Sequence, residues 1–229
     1  MMVVEETMGV TETAPIPTQR GEQLLDHAVR YAEERHWDVF AGTWLEPGDG
    51  RELCSCGAAD CPAPGAHAAV KDWAAHATGS AVQVRRVWGK NPGASILLPT
   101  GRTFDALDVP DSAGFLALAR LERMQRTLGP VTLTPDHRML FFVLPGAGVK
   151  VADLVRKLGW SPSAIDLTAR GEGEYVAAPP TRFGGRGAVQ WARRPTPANR
   201  WLPDTEELID ALAYACGSEA AAERKRRQG

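Results

Sequence analysis

The chain has 229 residues, 44% of them hydrophobic and 24% charged, with a formal net charge of −2. That balance suits one globular domain with a small appendage, and it excludes a disordered, collagen-like or disulfide-framework protein. The longest apolar run, Met139 to Val143, is five residues, against the roughly 20 that a spanning helix needs, so no membrane partner is expected.

Residues 1–20 are rich in Thr, Glu and Pro without periodicity and read as a disordered lead. They lack the basic region and apolar stretch of a secretory signal, so the expected location is the cytoplasm. Leu25, Ala28, Val29 and Ala32 then recur at helical spacing, predicting an amphipathic helix over about 22–35. Trp37 to Phe40 alternates like a short strand. Residues 46–72 are rich in Gly, Pro and Cys and form a loop that needs its own staple.

Thr78 can cap a second helix with Ala81, Val84, Val87 and Trp88 as its stripe. Strands follow at Ala94–Leu98 and Phe104–Val109. Asp111 or Ser112 can cap a long helix with Phe115, Leu118, Leu121 and Met124 turned inward. Val131–Thr134 and Arg138–Leu144 read as a hairpin pair. Val151, Leu154, Val155 and Leu158 mark a short helix closed by Gly159. Ile165–Thr168, Tyr175–Ala178 and Val189–Trp191 read as strands. A last helix starts at Asp204, with Glu207 completing a capping box, and ends near Cys216, leaving a basic tail over 218–229. Helices that separate strand pairs predict an α+β fold, with the domain body over 21–217.

Charge is spread unevenly. Residues 1–20 carry −2 and residues 218–229 carry +2, so the body carries −2. Stand-alone duplex binders rely on a basic excess, because phosphate contacts supply most non-specific affinity. The whole surface is therefore not expected to grip DNA, although a local basic groove is compatible with these numbers.

The sharpest local signal is Cys54, Cys56, Cys61 and His67, three thiols and one imidazole within 14 residues. In a reducing compartment such a cluster points to metal rather than disulfide. Three sulfurs and a nitrogen close a tetrahedral Zn2+ site and leave no position for water, so the expected zinc is structural. His76 is an alternative ligand, and Cys216 reads as a plain buried thiol.

Asp105 and Asp108 share a strand but face opposite sides, since side chains alternate. Asp166 sits in the apolar run Ala-Ile-Asp-Leu, where an unpaired carboxylate is costly. Two such groups on neighbouring strands could hold a divalent cation for phosphoryl transfer. Each could equally be an ordinary strand-end Asp satisfied by backbone or by Arg138 or Arg170.

Taken together, several segments resemble the N-terminal domain of bifunctional DNA primase/polymerases, the Prim-Pol branch of the archaeo-eukaryotic primase superfamily. They are Ala28 to Phe40, the Cys54–His67 cluster, Asp72-Trp73, Val87-Trp88, Ala94 to Gly101, the strand ending in Asp108, and Ile165-Asp166 through Arg170-Gly171 to Tyr175-Val-Ala-Ala-Pro-Pro-Thr181. The resemblance covers about residues 22–195. It implies two α/β subdomains around a mixed sheet related to the RNA-recognition fold, and two-metal nucleotidyl transfer with Mg2+ or Mn2+. Asp108 matches the first acid and Asp166 the third. Pro110 stands where the second acid belongs, with Asp111 one residue late, and Met139 stands at the position of a phosphate-contacting His. His137 lies in the preceding turn. Arg138, His137 and Arg170 are the candidate nucleotide-binding residues. The expectation is a diverged domain that binds nucleotide, single-stranded nucleic acid or a protein partner with weak or no turnover. The alternative is an active primase/polymerase using Asp108, Asp166 and Asp111. A helicase-like extension is not expected after residue 217.

Overall fold

The computed structural model describes residues 17–48 and 50–228. The lead expected over 1–20 lies outside the described residues as far as 16. Residues 17–20 already belong to helix α1 (Pro17–Arg35), which starts five residues before its expected beginning. In chain order there follow β1 (Phe40–Ala41), β2 (Leu45–Pro47), β3 (Glu52–Cys54), α2 (Ala81–Lys90), β4 (Ile96–Pro99), β5 (Asp105–Pro110) and α3 (Asp111–Arg123). Then come β6 (Val131–Thr134), β7 (Arg138–Val143), α4 (Ala147–Lys157), β8 (Thr168–Arg170), β9 (Tyr175–Ala177), β10 (Gln190–Arg193) and α5 (Thr205–Gln228).

The expected α+β class is the one observed. The central sheet has the order β10-β6-β7-β5-β8, flanked by a three-stranded sheet β1-β4-β9 and a β2-β3 hairpin. β5 and β6 run the same way around α3, with β7 inserted between them; β7 and β8 run the same way around α4, with β5 between them. These are two interlocked split β-α-β units, the βαββαβ arrangement. Because strands of like direction are interleaved, every hydrogen-bonded pair among the described residues is antiparallel. The sheet expected to be mixed is therefore antiparallel throughout.

Strand alternation gives the central sheet two buried faces. Leu107, Val109, Met139, Phe141 and Val143 face the layer of α3, α4 and α5. Ala106, Leu140 and Phe142 face α1, α2 and the smaller sheet. There Phe104 stacks on Phe142 at 4.5 Å, and Trp37 packs on both at 5.2 and 5.4 Å.

Three helix expectations are corrected. α3 turns Ala113, Gly114, Ala117 and Leu121 inward, and Phe115 and Met124 are exposed. The reason is close approach: a Cβ on Gly114 would lie 2.7 Å from Met139 Cβ, so small residues must face the sheet. α5 runs past Cys216 to Gln228, so the expected basic tail is its last turns. Gly217 does not end it, because a Cβ there would lie 2.3 Å from the Trp160 ring; the glycine makes room for an indole. Ser80, not Thr78, precedes α2, and Thr78 Oγ1 instead accepts the Ser80 N–H at 3.1 Å. Asp204 does begin α5 as expected, its N–H donating to Glu207 Oε1 at 3.1 Å.

Candidate functional site

The β2-β3 hairpin ends on Cys54, and the chain then turns at Gly57, whose N–H donates to the Cys54 carbonyl at 3.0 Å. This turn presents Cys54 and Cys56 together. A second turn, at Gly65 with φ of 74°, brings the chain back past Leu45 and carries His67 to the thiols. One ligand atom from each of Cys54, Cys56, Cys61 and His67 lies within 4.8 Å of all the others. A tetrahedron with metal–sulfur bonds of about 2.3 Å has edges of about 3.8 Å, so this cage can hold a metal ion with little adjustment. His67 Nδ1 is 2.9 Å from the Ala68 carbonyl, which fixes the proton there and leaves the Nε2 lone pair facing Cys54 Sγ at 3.4 Å.

Burial pushes the Cys54 thiol up, but N–H donors from Cys56 and Gly65, with the Thr43 hydroxyl, outweigh it and bring the pKa down to about 6. Burial and the neighbouring sulfurs push Cys61 up to about 11. His76 is not part of the cluster; it faces Asp72 at 3.8 Å across a 3-10 turn. Cys216 is buried on α5, as expected of a plain thiol.

The carboxylates divide by strand parity. Asp105 faces the helical layer, where its Oδ2 accepts the Gly146 and Gly148 N–H groups at 2.9 and 3.3 Å and so tethers the start of α4. Asp108 faces the other way, only 2% exposed. In the ladder, β5 pairs Pro110 with Arg138 and Ala106 with Arg170, so one arginine sits diagonally on each side of Asp108. Diagonal neighbours on an antiparallel face are within reach of long side chains. Arg138 Nε donates to Asp108 Oδ1 at 2.7 Å; Arg170 Nε and Nη2 donate to Oδ2 at 3.0 and 2.9 Å. The far edge of the Arg138 guanidinium forms a two-pronged pair with Asp166, at 2.6 and 2.9 Å.

Asp108 and Asp166 thus meet through one arginine. Asp166 does not lie in a strand: β8 begins only at Thr168, and Asp166 is turned outward between buried Ile165 and Leu167. Its exposure removes the burial cost expected of it. Burial opposes the charge on Arg138, but hydrogen bonds to Asp166 and Asp108 outweigh it and raise its pKa. Arg170 is shifted the same way, burial being outweighed by Asp108 and Glu174.

Asp111 and His137 stand apart from this cluster. His137 takes a positive φ of 62° in the β6-β7 turn, and its Nδ1 lies 3.0 Å from Asp111 Oδ2; the other Asp111 oxygen accepts the Ser112 N–H at 2.7 Å. Met139 is also elsewhere. It is fully buried on the helical face, opposite to Asp108, because β7 pairs it with Val109. The β7 side chains that share the Asp108 face are Arg138, Leu140 and Phe142. The position read as replacing a phosphate-contacting His is a core position, and the polar group on the correct face is Arg138.

An open cleft of about 340 Å3 lies over this cluster, with Asp108, Arg138 and Arg170 on one side and Ala66 and His67 of the cysteine loop on the other. Tyr175 and Phe183 complete its walls. Its Glu174 was missed in the sequence: Oε2 accepts the Gly171 N–H at 3.0 Å and Oε1 meets Arg170 at 3.4 Å. Tyr175 Oη accepts the Ala68 N–H at 3.1 Å and so joins β9 to the cysteine loop. Neither residue carried a sequence signal beyond the Arg-Gly-Glu-Gly-Glu-Tyr run itself.

Two interlocked split β-α-β units, with an acid–arginine cluster on one sheet face beside a cage of three cysteines and a histidine, define an α+β domain with a candidate metal site next to an open cleft. The family model described as bifunctional DNA primase/polymerase, N-terminal, matches residues 28–201, and the chain belongs to this Prim-Pol family. No curated protein matches it. Membership brings nucleotide or nucleic-acid binding with it. No described helix is long and apolar enough to cross a membrane. The divalent cations of the family's chemistry do not fit these acids as arranged: both oxygens of Asp108 and both of Asp166 already accept guanidinium N–H groups. Asp111 is committed to His137 and Ser112.

Proposed function

We propose that this chain is a diverged Prim-Pol domain that binds a nucleotide or nucleic-acid ligand at the cleft, or holds a protein partner there, with weak or no nucleotidyl transfer. The observation that carries this reading is Arg138, which lies between Asp108 and Asp166 and bonds to both. Its positive charge, with that of Arg170 on Asp108, balances the two carboxylates where a divalent cation would have to do so. Such a cluster is neutralised and shaped without metal, but a fixed guanidinium cannot exchange its ligands with reacting phosphoryl oxygens as a metal ion does. Arg138 and Arg170 are the residues that a ligand would meet; His137 is turned to Asp111 and lines no part of the cleft.

In the same reading the cage of Cys54, Cys56, Cys61 and His67 holds structural Zn2+, which shapes the wall opposite the arginines. Free thiols kept as metal ligands suit a reducing compartment, hence the cytoplasm. The domain body proposed over 21–217 begins within α1 and ends within α5, and both helices continue beyond those bounds.

The test is a thermal-shift series with nucleoside triphosphates, with and without Mn2+, followed by primer extension. The reading expects a nucleotide-dependent rise in Tm that does not need Mn2+, and no extension product. Robust Mg2+-dependent extension that Asp108→Ala abolishes would overturn it in favour of an active primase/polymerase using Mg2+ or Mn2+ at Asp108, Asp166 and Asp111.

A further inference from the structure

Beyond β6, the β10 edge of the central sheet is the edge farthest from Arg170 and Asp166. A compact turn follows it. Thr196 and Asn199 form a reciprocal capping box around Pro197–Asn199, and buried Asn199 also donates through Nδ2 to the Arg194 carbonyl at 2.9 Å. α1 braces this turn: Arg35 Nη1 and Nη2 donate to the Thr196 and Asn199 carbonyls at 2.9 and 3.1 Å, while its guanidinium lies 5.1 Å over the Trp37 ring. The chain leaves the braced turn as Arg200-Trp201, and Trp201 is 83% exposed.

The surface around it is crowded with like charge. His27 and Arg30 share α1 with Arg35; the His27 ring lies 6.3 Å from that of Tyr31, and Tyr31 packs edge-on at 6.1 Å against Trp191, three residues before Arg194. Arg200 faces Arg35. Burial first, then the repulsion of Arg30 and Arg194, lowers the His27 pKa, and burial with Arg200 does the same to Arg35. The acids nearby are Asp26 and Glu34; among the described residues neither pairs directly with Arg30, Arg194 or Arg200, and Glu33 is taken up by Arg85. Arg35 holds the turn in place, but among the described residues the side chains of Arg30, Arg194 and Arg200 make no ion pair or hydrogen bond that would hold this fold together, and the indole of Trp201 stands out into solvent. On a chain of net charge −2, these arginines are a local concentration of positive charge next to an aromatic platform.

We infer that this surface, formed by His27, Arg30 and Arg35 of α1 with Arg194, Arg200 and Trp201, binds the backbone of a single-stranded nucleic acid and stacks Trp201 on one base. The arginines match a polyanion. The exposed indole selects a strand whose bases are unpaired, because only such bases offer a free π-face. None of these residues lines the cleft, so the inference goes beyond the proposed function and stands or falls separately from it.

Fluorescence anisotropy with labelled oligothymidylate, read over a salt series, tests this. Trp201→Ala is expected to weaken binding about 5- to 150-fold through loss of one stacked base. Arg194→Glu with Arg200→Glu is expected to flatten the log–log salt dependence by about 1.4, the slope for two lost phosphate contacts on a single strand. Arg86→Glu, a like change of charge on exposed α2, should leave binding unchanged. The side chains altered are solvent-facing, so Tm should hold, and any nucleotide-dependent rise in Tm from the cleft should persist in all variants. Binding unaffected by both sets of changes overturns the inference. So does equal affinity for the duplex, or binding to phosphatidylserine vesicles without binding to oligothymidylate.

Discussion

Replacing Arg138 by Met keeps an unbranched apolar stem and removes the charge that joins Asp108 to Asp166. Asp108 is 2% exposed, so its carboxylate cannot recover water as a partner. Breaking a buried ion pair from one side costs about 3–5 kcal/mol, because a charge is left uncompensated. Arg170 keeps its two bonds to Oδ2, which places the loss at the lower end, about 3 kcal/mol. Asp166 is more than half exposed and adds less than about 1 kcal/mol. At roughly 2–4 °C per kcal/mol for a domain of this size, Tm should fall by about 6–12 °C. Adding Asp108→Asn to Arg138→Met should recover part of that loss, since the unpaired buried charge is then gone. Mn2+ should raise the Tm of Arg138→Met, where two carboxylates now face each other without a cation between them, and leave the natural protein unchanged. Thermal and urea melts read all of these. If Arg138→Met melts with the natural protein, or if Mn2+ stabilises both equally, then Arg138 does not stand in for a cation and the reading of the cleft is wrong.

Metal analysis should find about one zinc per chain, and Cys56→Ser should lose it and melt earlier; less than about half an equivalent in the natural protein would remove the zinc assignment. Met139→His should destabilise by several kcal/mol, since it buries an imidazole without a partner among Leu107, Val109 and Phe141, and it should confer no extension activity; a stable, active Met139→His protein would contradict the strand register. Burial raises the Cys216 pKa from 9.0 to about 12. The folded state therefore holds this proton more tightly than the unfolded chain, so its contribution is complete below pH 9 and is lost as pH rises towards 12, at about 1.4 kcal/mol per pH unit. Urea melts between pH 9 and 11 should show Cys216→Ala losing stability less steeply than the natural protein, and parallel slopes would refute this.

The metal cage could be read from the sequence because its four residues lie within one loop, where spacing alone limits geometry. The strand-end cluster could not. Asp108, Arg138, Asp166 and Arg170 were all candidates, but which of them touch depends on the register of β5 against β7 and β8, set by contacts far apart in the chain. The same ignorance of register put Met139 at the site: one residue along a strand reverses its face. In α3, the large residues Phe115 and Met124 looked like the core stripe, whereas close packing against β7 selects Gly114 and its small neighbours. Apolar size is visible in a sequence; the distance between backbones is not.

The pairing of Pro110 with Arg138 has an evolutionary consequence. An acid placed at position 110 would share a face with Arg138 and be captured by it rather than left free for metal. Removing Arg138 first would leave Asp108 with Arg170 alone, at a cost of about 3 kcal/mol, before any second acid had appeared. Either order of single replacements passes through a form that is less stable or still metal-blocked, so the change works as a ratchet. On the proposed reading of the cleft, a lineage that has placed this arginine loses metal-site chemistry more easily than it regains it, and selection then acts on what the domain binds.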